Sequence, residues 1–384
     1  MKGHIRKRGK ESWQIKVFLG RDQATGKPRY RHETVRGLKR DAQRELTRIL
    51  REIDTDSYVE PSKLTVADFL ERWLSDHAQH AVSRKTLERY TEVVRKHLVP
   101  GLGSGLLAKL RPLDIQSYYT RALTDGRRRG PGGLNPQTVK HHHRILFQAL
   151  RHAVRWQLIA RNPAEAVDPP KVGQREMLVL TEAELGQLLK AAKGSDIYAP
   201  VLVTATTGMR RGELLGLRWS DVDLDRAELR ISHTIEETRE GLYFKEPKTP
   251  RSRRTIALPP VAVDVLRDHK AEQGRQRLAL GIGRPKPDLV FSRATGEPYK
   301  PRVFSQAFRR LVTRAGVTAI SFHGLRHTHL THLLIAGVHP KVASERAGHA
   351  SVSITLDRYS HVLPGLQEEA AQRVDESIRR ALEE

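Results

Sequence analysis

The residues of this chain that could do chemistry fall in four basic clusters and around one tyrosine. Arg210 and Arg211 follow "TTGM", with Glu213 just behind them. Lys248 lies in "EPKTPRSRRT", a turn between two strand-like segments. "FHGLRHTHLTHLL" sets His323 and Arg326 three residues apart, on one side of a helix. "AGHASVSITLDRYSH" carries His349 near its start and Tyr359 near its end, with Arg358 and His361 close by. On a helix starting near Ser351, Val352, Leu356 and Tyr359 share a face, a pattern that suits packing. The ring of His349, Arg358 and His361 at the tip of that face suits a site for negative charge. Singly, each cluster has an ordinary structural explanation: a surface Arg210 paired with Glu213, a solvated Lys248, a packed Tyr359.

Histidine is frequent enough to raise metal binding. His323 and His327 are four apart and could share an ion, and "HHH" stands at 141–143. A two-histidine site still needs a third ligand, no HExxH occurs, and three successive histidines on a helix point in different directions. Solvated or phosphate-contacting histidines are the better reading, and no metal or other cofactor is expected. The chain lacks cysteine. That excludes disulfides, thiol catalysis and Cys-ligated zinc.

The 384 residues, 38% of them hydrophobic, allow two or three ordinary cores. Lys and Arg total 68 against 44 Asp and Glu, a formal charge of +24. Such a surplus costs self-repulsion and points to an anionic partner, nucleic acid first. No apolar run is long enough to span a bilayer, and the start "MKGHIRKRGK" lacks a signal peptide's apolar stretch. A bacterial cytoplasmic or nucleoid setting is expected, with no membrane partner.

The elements that must position the clusters are legible as three parts. Residues 1–58 hold strand-like "SWQIKVFLG" and "RYRHETV", a Gly/Pro turn and an amphipathic helix. The first 53 residues carry 16 Lys/Arg against 6 Asp/Glu. A basic sheet with interleaved Trp13 and Tyr30 suits DNA, with Arg6, Arg8, Trp13 and Arg31 as candidate contacts. Residues 64–161 read as four helices; Thr65 and Ser83 are N-caps, Pro100 closes the second helix, and Lys85 is a further candidate DNA contact. "RNPAEAVDPPKVGQRE" is an interdomain linker. Residues 176–384 are mixed: a helix capped by Thr181 and Glu184, a helix–turn–helix about Gly208, and three short strands ("AELRISHTI", "GLYFKEPKT", "RRTIALP"). Helices follow, the last with Ala370, Val374, Ile378 and Leu382 on one stripe.

"TGMRRGELLGLRWSDVD", "PKTPRSRRTIALP", "HGLRHTHLTHLL" and "GHASVSITLDRYSH", in this order and spacing, resemble the catalytic motifs of the tyrosine recombinase (phage integrase) family over about 177–365. The middle part resembles that family's SAM-like core-binding domain, and the basic start the arm-binding module of integrases. The fold implied is multidomain and mainly α with small β-sheets: a small sheet plus helix, a helical core-binding domain, and an α+β catalytic domain. Residue by residue, the resemblance makes Tyr359 the nucleophile and Arg210 and Arg326 the phosphate-binding arginines. Lys248 becomes the hairpin lysine, with Lys245 as nearest rival. His323 becomes the histidine of H-x-x-R, His349 fills the His/Trp position, and Glu213 supports Arg210. "AGH" stands where "LGH" is commoner.

The implied reaction is metal- and ATP-independent transesterification of a DNA phosphodiester through a 3′-phosphotyrosyl link. Guanidiniums suit the non-bridging oxygens, because their planar fork binds two at once. Lys248 would protonate the leaving 5′ oxygen, nearby cations would help Tyr359 lose its proton, and His323 and His349 would hold protons near pH 7. The implied partners are double-stranded DNA at core-type and arm-type sites, a homotetramer on that DNA, and a DNA-bending or excision factor. Two other functions fit less of the sequence: a type IB topoisomerase-like relaxing enzyme, and a non-catalytic DNA-binding regulator.

Overall fold

The computed structural model describes residues 3–21, 25–54, 63–173, 177–246, 253–359 and 366–383. The chain falls into two compact units, Met1–Gly173 and Gln174–Glu384. No helix among the described residues is long and apolar enough to cross a membrane.

The first unit begins with an antiparallel sheet of β1 (Gly3–Gly9), β2 (Ser12–Arg21) and β3 (Pro28–Arg36), followed by helix α1 (Lys39–Asp54). Ile15 and Val17 of β2 are buried against Leu46 and Ile49 of α1. The pleat sends alternate residues to opposite faces, so this contact fixes which side chains stay outside. It separates the residues that the sequence grouped as DNA contacts. Arg31 pairs across the sheet with Val17, lies on the helix side and is ion-paired with Glu33. Trp13 lies on the same side and donates to the Gly37 carbonyl (3.1 Å). Arg6 and Arg8 are exposed. On the face away from α1, Lys16 sits 4.0 Å from the Tyr30 ring centre, and Phe18 packs on Tyr30 at 5.6 Å.

The helical part has its own core, with Phe69, Trp73, Ile115, Tyr119, Leu146 and Leu150 buried in it. Helix α2 (Val66–Trp73) starts at the expected Thr65 cap, which Asp68 completes as a capping box. It continues through a π turn (Leu74–Ala78) into α3 (Gln79–Ala81). Helix α4 (Arg84–Val93) starts at Ser83 and passes through a second π turn (Val94–Leu98) into α5 (Val99–Leu102). Pro100 therefore does not close this helix. It sits at the start of a new turn, where a missing N–H costs nothing. Lys85 on α4 pairs with Glu88 at 2.7 Å. Helices α6 (Pro112–Asp125) and α7 (Pro136–Arg155) complete the part. His142 of α7 is buried and His143 half-buried, and their Nδ1 atoms share hydrogen bonds with the hydroxyls of Tyr118 (2.9 Å) and Tyr119 (2.8 Å).

The second unit opens with α8 (Glu182–Ala192), held by the expected Thr181–Glu184 capping box. Helix α9 (Tyr198–Thr207) is apolar almost all round and buried, and ends at Gly208 in the left-handed conformation (φ 65°). Short α10 (Arg211–Leu215) follows. Next come β4 (Val222–Asp223), β5 (Glu228–Arg230), β6 (Thr234–Glu237), β7 (Leu242–Lys245) and β8 (Thr255–Ala257). The segment expected to be one strand, "AELRISHTI", divides into β5 and β6. These belong to different sheets, β4-β5-β8 and β6-β7. The connection from β7 to β8 thus joins two sheets rather than closing a hairpin between paired strands. Helices α11 (Pro260–Ala279), α12 (Pro301–Ala315), α13 (Phe322–Ile335), α14 (Pro340–Ala347), α15 (Val352–Tyr359) and α16 (Leu366–Glu383) follow, with α13 packed on α9. On α16, Val374, Ile378 and Leu382 are exposed.

Candidate active site

Two glycine corners build the site. Gly208 caps α9 and Gly348 caps α14, both with positive φ, and each leaves backbone carbonyls unsatisfied at a helix C-terminus. Those carbonyls hold the arginines. Arg326 of α13, 1% exposed, donates to Gly208 O (2.7 Å) and to Ala347 O (2.8 Å). Arg210, the N-cap of α10, donates to Gly348 O (2.8 Å). The negative ends of two helix dipoles thus help to fix both cations, and Arg326 is held by carbonyls alone. Each corner must be glycine for packing as well as for φ. A Cβ on Gly208 would stand 2.6 Å from the His329 ring, and one on Gly348 would stand 2.9 Å from the Arg254 guanidinium.

Glu213 is the carboxylate of this cluster. It accepts from the Arg210 side chain (2.8 Å) and backbone (2.9 Å), and from both terminal nitrogens of Arg254 (3.2 and 2.9 Å). Burial opposes its charge, but Arg254 and then Arg210 hold its pKa below the usual range. Arg254 also donates to the Arg346 carbonyl (2.7 Å), which ties the start of β8 to α14. Burial, and then the charge of Arg210, push Arg326 down to about 9, which still leaves it charged at neutral pH.

Tyr359 lies at the end of α15 and is fully buried. Its ring fills a small core with Leu330, Leu334, Ala343 and Ala347. Thr355 is the other buried residue of α15, whereas Leu356 is 43% exposed, so the buried face is Thr355–Tyr359 rather than Val352–Leu356–Tyr359. The Tyr359 hydroxyl is 2.6 Å from Nδ1 of His327. Burial pushes this hydroxyl up to about 12, and the opposing charges of Arg326 and Arg358 do not reverse the shift. The cations favour proton loss, as expected, but burial outweighs them.

The histidines also depart from expectation. His349 shares a hydrogen bond with the Thr355 hydroxyl (2.8 Å). Burial and then the charges of Arg326 and Arg210 push it down to about 4. His323 is solvent-exposed on one side. Its partial burial, then Arg326, Arg358 and Arg210, push it down to about 4 as well. Both rings are neutral at pH 7, so the expected titration near pH 7 is displaced downward.

The sequence matches the model of the phage integrase family over residues 178–365 and that of the phage integrase N-terminal SAM-like domain over 65–123. An integrase of Streptomyces ambofaciens is 30% identical, over 84% of this chain and 82% of its own length. The chain belongs to the phage integrase family of tyrosine recombinases. A tyrosine recombinase XerC-like protein of Caldanaerobacter subterraneus subsp. tengcongensis is 27% identical over 96% of this chain and 97% of its own. The fold is shared with two solved structures. One is the Tn1549 transposon integrase in complex with transposon right end DNA (TM-score 0.69, 22% identity, 81% of this chain and 99% of that one). The other is a lambda integrase dimer bound to a COC' core site (TM-score 0.57, 20% identity, 92% and 94%).

In this tyrosine recombinase, Arg210, Glu213, His323, Arg326, His349 and Tyr359 all sit around the two glycine corners. Lys248 and His361 lie outside the described residues. The rival Lys245 is on β7, ion-paired with Glu236 across the β6–β7 ladder. Two site residues were not picked out by the sequence for this site. Arg254 stood in a run of arginines with nothing to single it out, and only the turn from β8 toward Glu213 does so. His327 was weighed as a metal ligand with His323; among the described residues no group of three or more metal-ligating side chains is assembled. The arrangement gathers two guanidiniums, a carboxylate, a phenol hydroxyl and neutral imidazoles in one cluster.

Proposed function

We propose that this chain is a site-specific DNA recombinase, an integrase that moves a phage or other mobile element into and out of a chromosome. Tyr359 attacks a phosphodiester held by Arg210 and Arg326. It forms a 3′-phosphotyrosyl bond and releases a 5′ oxygen that Lys248 protonates. The bond energy is kept in the phosphotyrosine, so a new 5′ hydroxyl restores the DNA without an external energy source. Glu213 orients Arg210, and His323 and His349 donate hydrogen bonds to the phosphate. By analogy with oxyanion-hole donors, each arginine contributes about 10²–10³ in rate.

The observation that carries this reading is the convergence of a buried tyrosine and two guanidiniums bound to helix-end carbonyls within one cluster. We assign residues 64–161 to core-site DNA and residues 176–384 to catalysis. Residues 1–58 are assigned to separate arm sites, through the open sheet face with Lys16 and Tyr30. That separate basic module favours an integrase over a relaxing enzyme. The working form is a tetramer on DNA in the cytoplasm, with the apolar stripe of α16 docked on a neighbouring protomer. The test is a nicked duplex carrying the element's own core sequence. Wild type should trap a covalent protein–DNA adduct, and Tyr359→Phe should bind but trap none. Absence of an adduct with wild type would sink the proposal and leave a DNA-binding regulator.

A further inference from the structure

Among the described residues, one side chain hydrogen-bonds the Tyr359 hydroxyl. It is neither the histidine of H-x-x-R nor His349. Nδ1 of His327 lies 2.6 Å from the oxygen, with the two rings tilted at 51° and 5.9 Å apart. His323, one turn earlier on α13, meets the edge of His327 at 4.6 Å and makes no hydrogen bond to the tyrosine among those described. His349 spends its Nδ1 on Thr355. We infer that His327 is a catalytic residue: it takes the Tyr359 proton as the phosphotyrosyl bond forms and returns it on religation. This rests on Tyr359 being the nucleophile.

The resting geometry sets the direction of the bond. Burial, then the charges of His323, Arg358, Arg326 and His349, push His327 down to about 3, so it is neutral. The tyrosine is protonated, so its O–H donates to Nδ1 and the imidazole proton sits on Nε2. The groups facing His327 are His323 and Arg326 from its own helix, Arg358 and Tyr359 from α15, and His349 from the segment before it. With this ordering the proton stays on Tyr359 until substrate arrives. A phosphodiester placed among Arg326, Arg210 and Arg358 adds negative charge beside the cations that depress His327, and so makes the imidazole a stronger base. Transfer then accompanies attack. The Oη–H bond breaks toward Nδ1 and Oη–P forms. P–O5′ breaks, and the 5′ oxygen takes a proton from a separate acid. The ester oxygen that Oη becomes has no use for a proton. In religation P–Oη breaks and the imidazolium gives its proton back.

The test uses the full chain on two nicked duplexes carrying the element's core sequence. One has an ordinary 5′ oxygen at the cut and the other a bridging 5′ sulfur. A thiolate leaves without an acid, so sulfur repairs defects on the leaving-group side and not those on the nucleophile side. Rates are single-turnover constants of DNA-bound protein, so misfolded molecules drop out. His327→Asn and His327→Gln should bind the duplex and cleave about 10²–10⁴-fold more slowly on both substrates. Wild-type rates in either variant, or recovery on the sulfur duplex, overturn the inference. An adduct formed by Tyr359→Phe would instead overturn the nucleophile assignment itself.

Discussion

Glu213→Gln is the perturbation that tests the electrostatic design most directly. The carboxylate is 5% exposed and lies between two guanidiniums, with Arg326 close by. Its Arg210 partner is 37% exposed, so solvent screens that pair and it adds little to stability. The Arg254 pair is different: the side chains are 7% and 5% exposed, and the contacts run to both carboxylate oxygens. Removing one partner of such a buried pair costs about 3–5 kcal/mol, because the other charge stays buried. Glutamine aggravates this, since its NH₂ group would face an arginine donor. For a unit spanning residues 174–384, about 3 kcal/mol corresponds to a fall of roughly 6–12 °C in its unfolding temperature.

Calorimetry of the full chain, wild type against Glu213→Gln, reads this directly. Added phosphate or core DNA should restore part of the loss, because an anion beside Arg210 and Arg326 replaces the missing charge. Cleavage should fall by about 10²–10³, as Arg210 loses its orienting partner. A variant that unfolds within 2 °C of wild type, with no extra response to phosphate, would refute the view that Glu213 balances a buried cationic cluster.

Further consequences concern pH, DNA and assembly. His142 and His329 are buried, and burial pushes both down to about 3. The unfolded chain therefore binds more protons than the native one below about pH 6.5. Stability should fall as pH drops from there toward 3, by up to ~1.4 kcal/mol per pH unit for each histidine, read as urea midpoints at pH 7, 5 and 4. Lys16→Ala should weaken arm-site binding and lower the slope of log K against log salt by about 0.9, whereas Arg31→Ala, on the helix side, should leave the slope unchanged. Ending the chain at residue 365 should leave single-protomer core binding intact and abolish tetramers on DNA, scored by native gel or light scattering.

What the sequence made legible follows physical rules of short range. Thr65, Ser83 and Thr181 start helices where their side chains reach a backbone N–H three residues on, and that spacing is visible in the chain. Arg210 and Glu213 share the same spacing, so their pairing could be anticipated. Which face of the N-terminal sheet carries Arg31 could not. Alternation gives two faces, and only the packing of α1 on Ile15 and Val17 chooses between them. The same holds for "AELRISHTI", whose pattern is a strand's throughout and whose division depends on which partners return to it. Arg254 and His327 act through residues 41 and 32 positions away, at contacts made only once β8 and α15 come back to the site.

The titration states were only half legible for a related reason. Counting cations near Tyr359 predicts an easily ionised phenol, because the count includes charge and omits burial. In the folded chain both act, and burial is the larger at Tyr359, His327 and His349. The consequence is functional. Arg326 has its bonds to backbone carbonyls, so its charge is directed without being cancelled and contributes a positive field to the site. Burial, with that field added, keeps the histidines neutral, and burial keeps the tyrosine protonated. On the proposed mechanism, a phosphodiester brings negative charge and so relieves the part of the depression at His327 that comes from its charged neighbours. On the proposed mechanism, a nucleophile that needs its substrate's charge before it can lose a proton is protected from reacting with the wrong electrophile. The glycine corners are what make this arrangement possible: they turn two helix ends inward, so that carbonyl dipoles hold Arg326 and share Arg210 with Glu213.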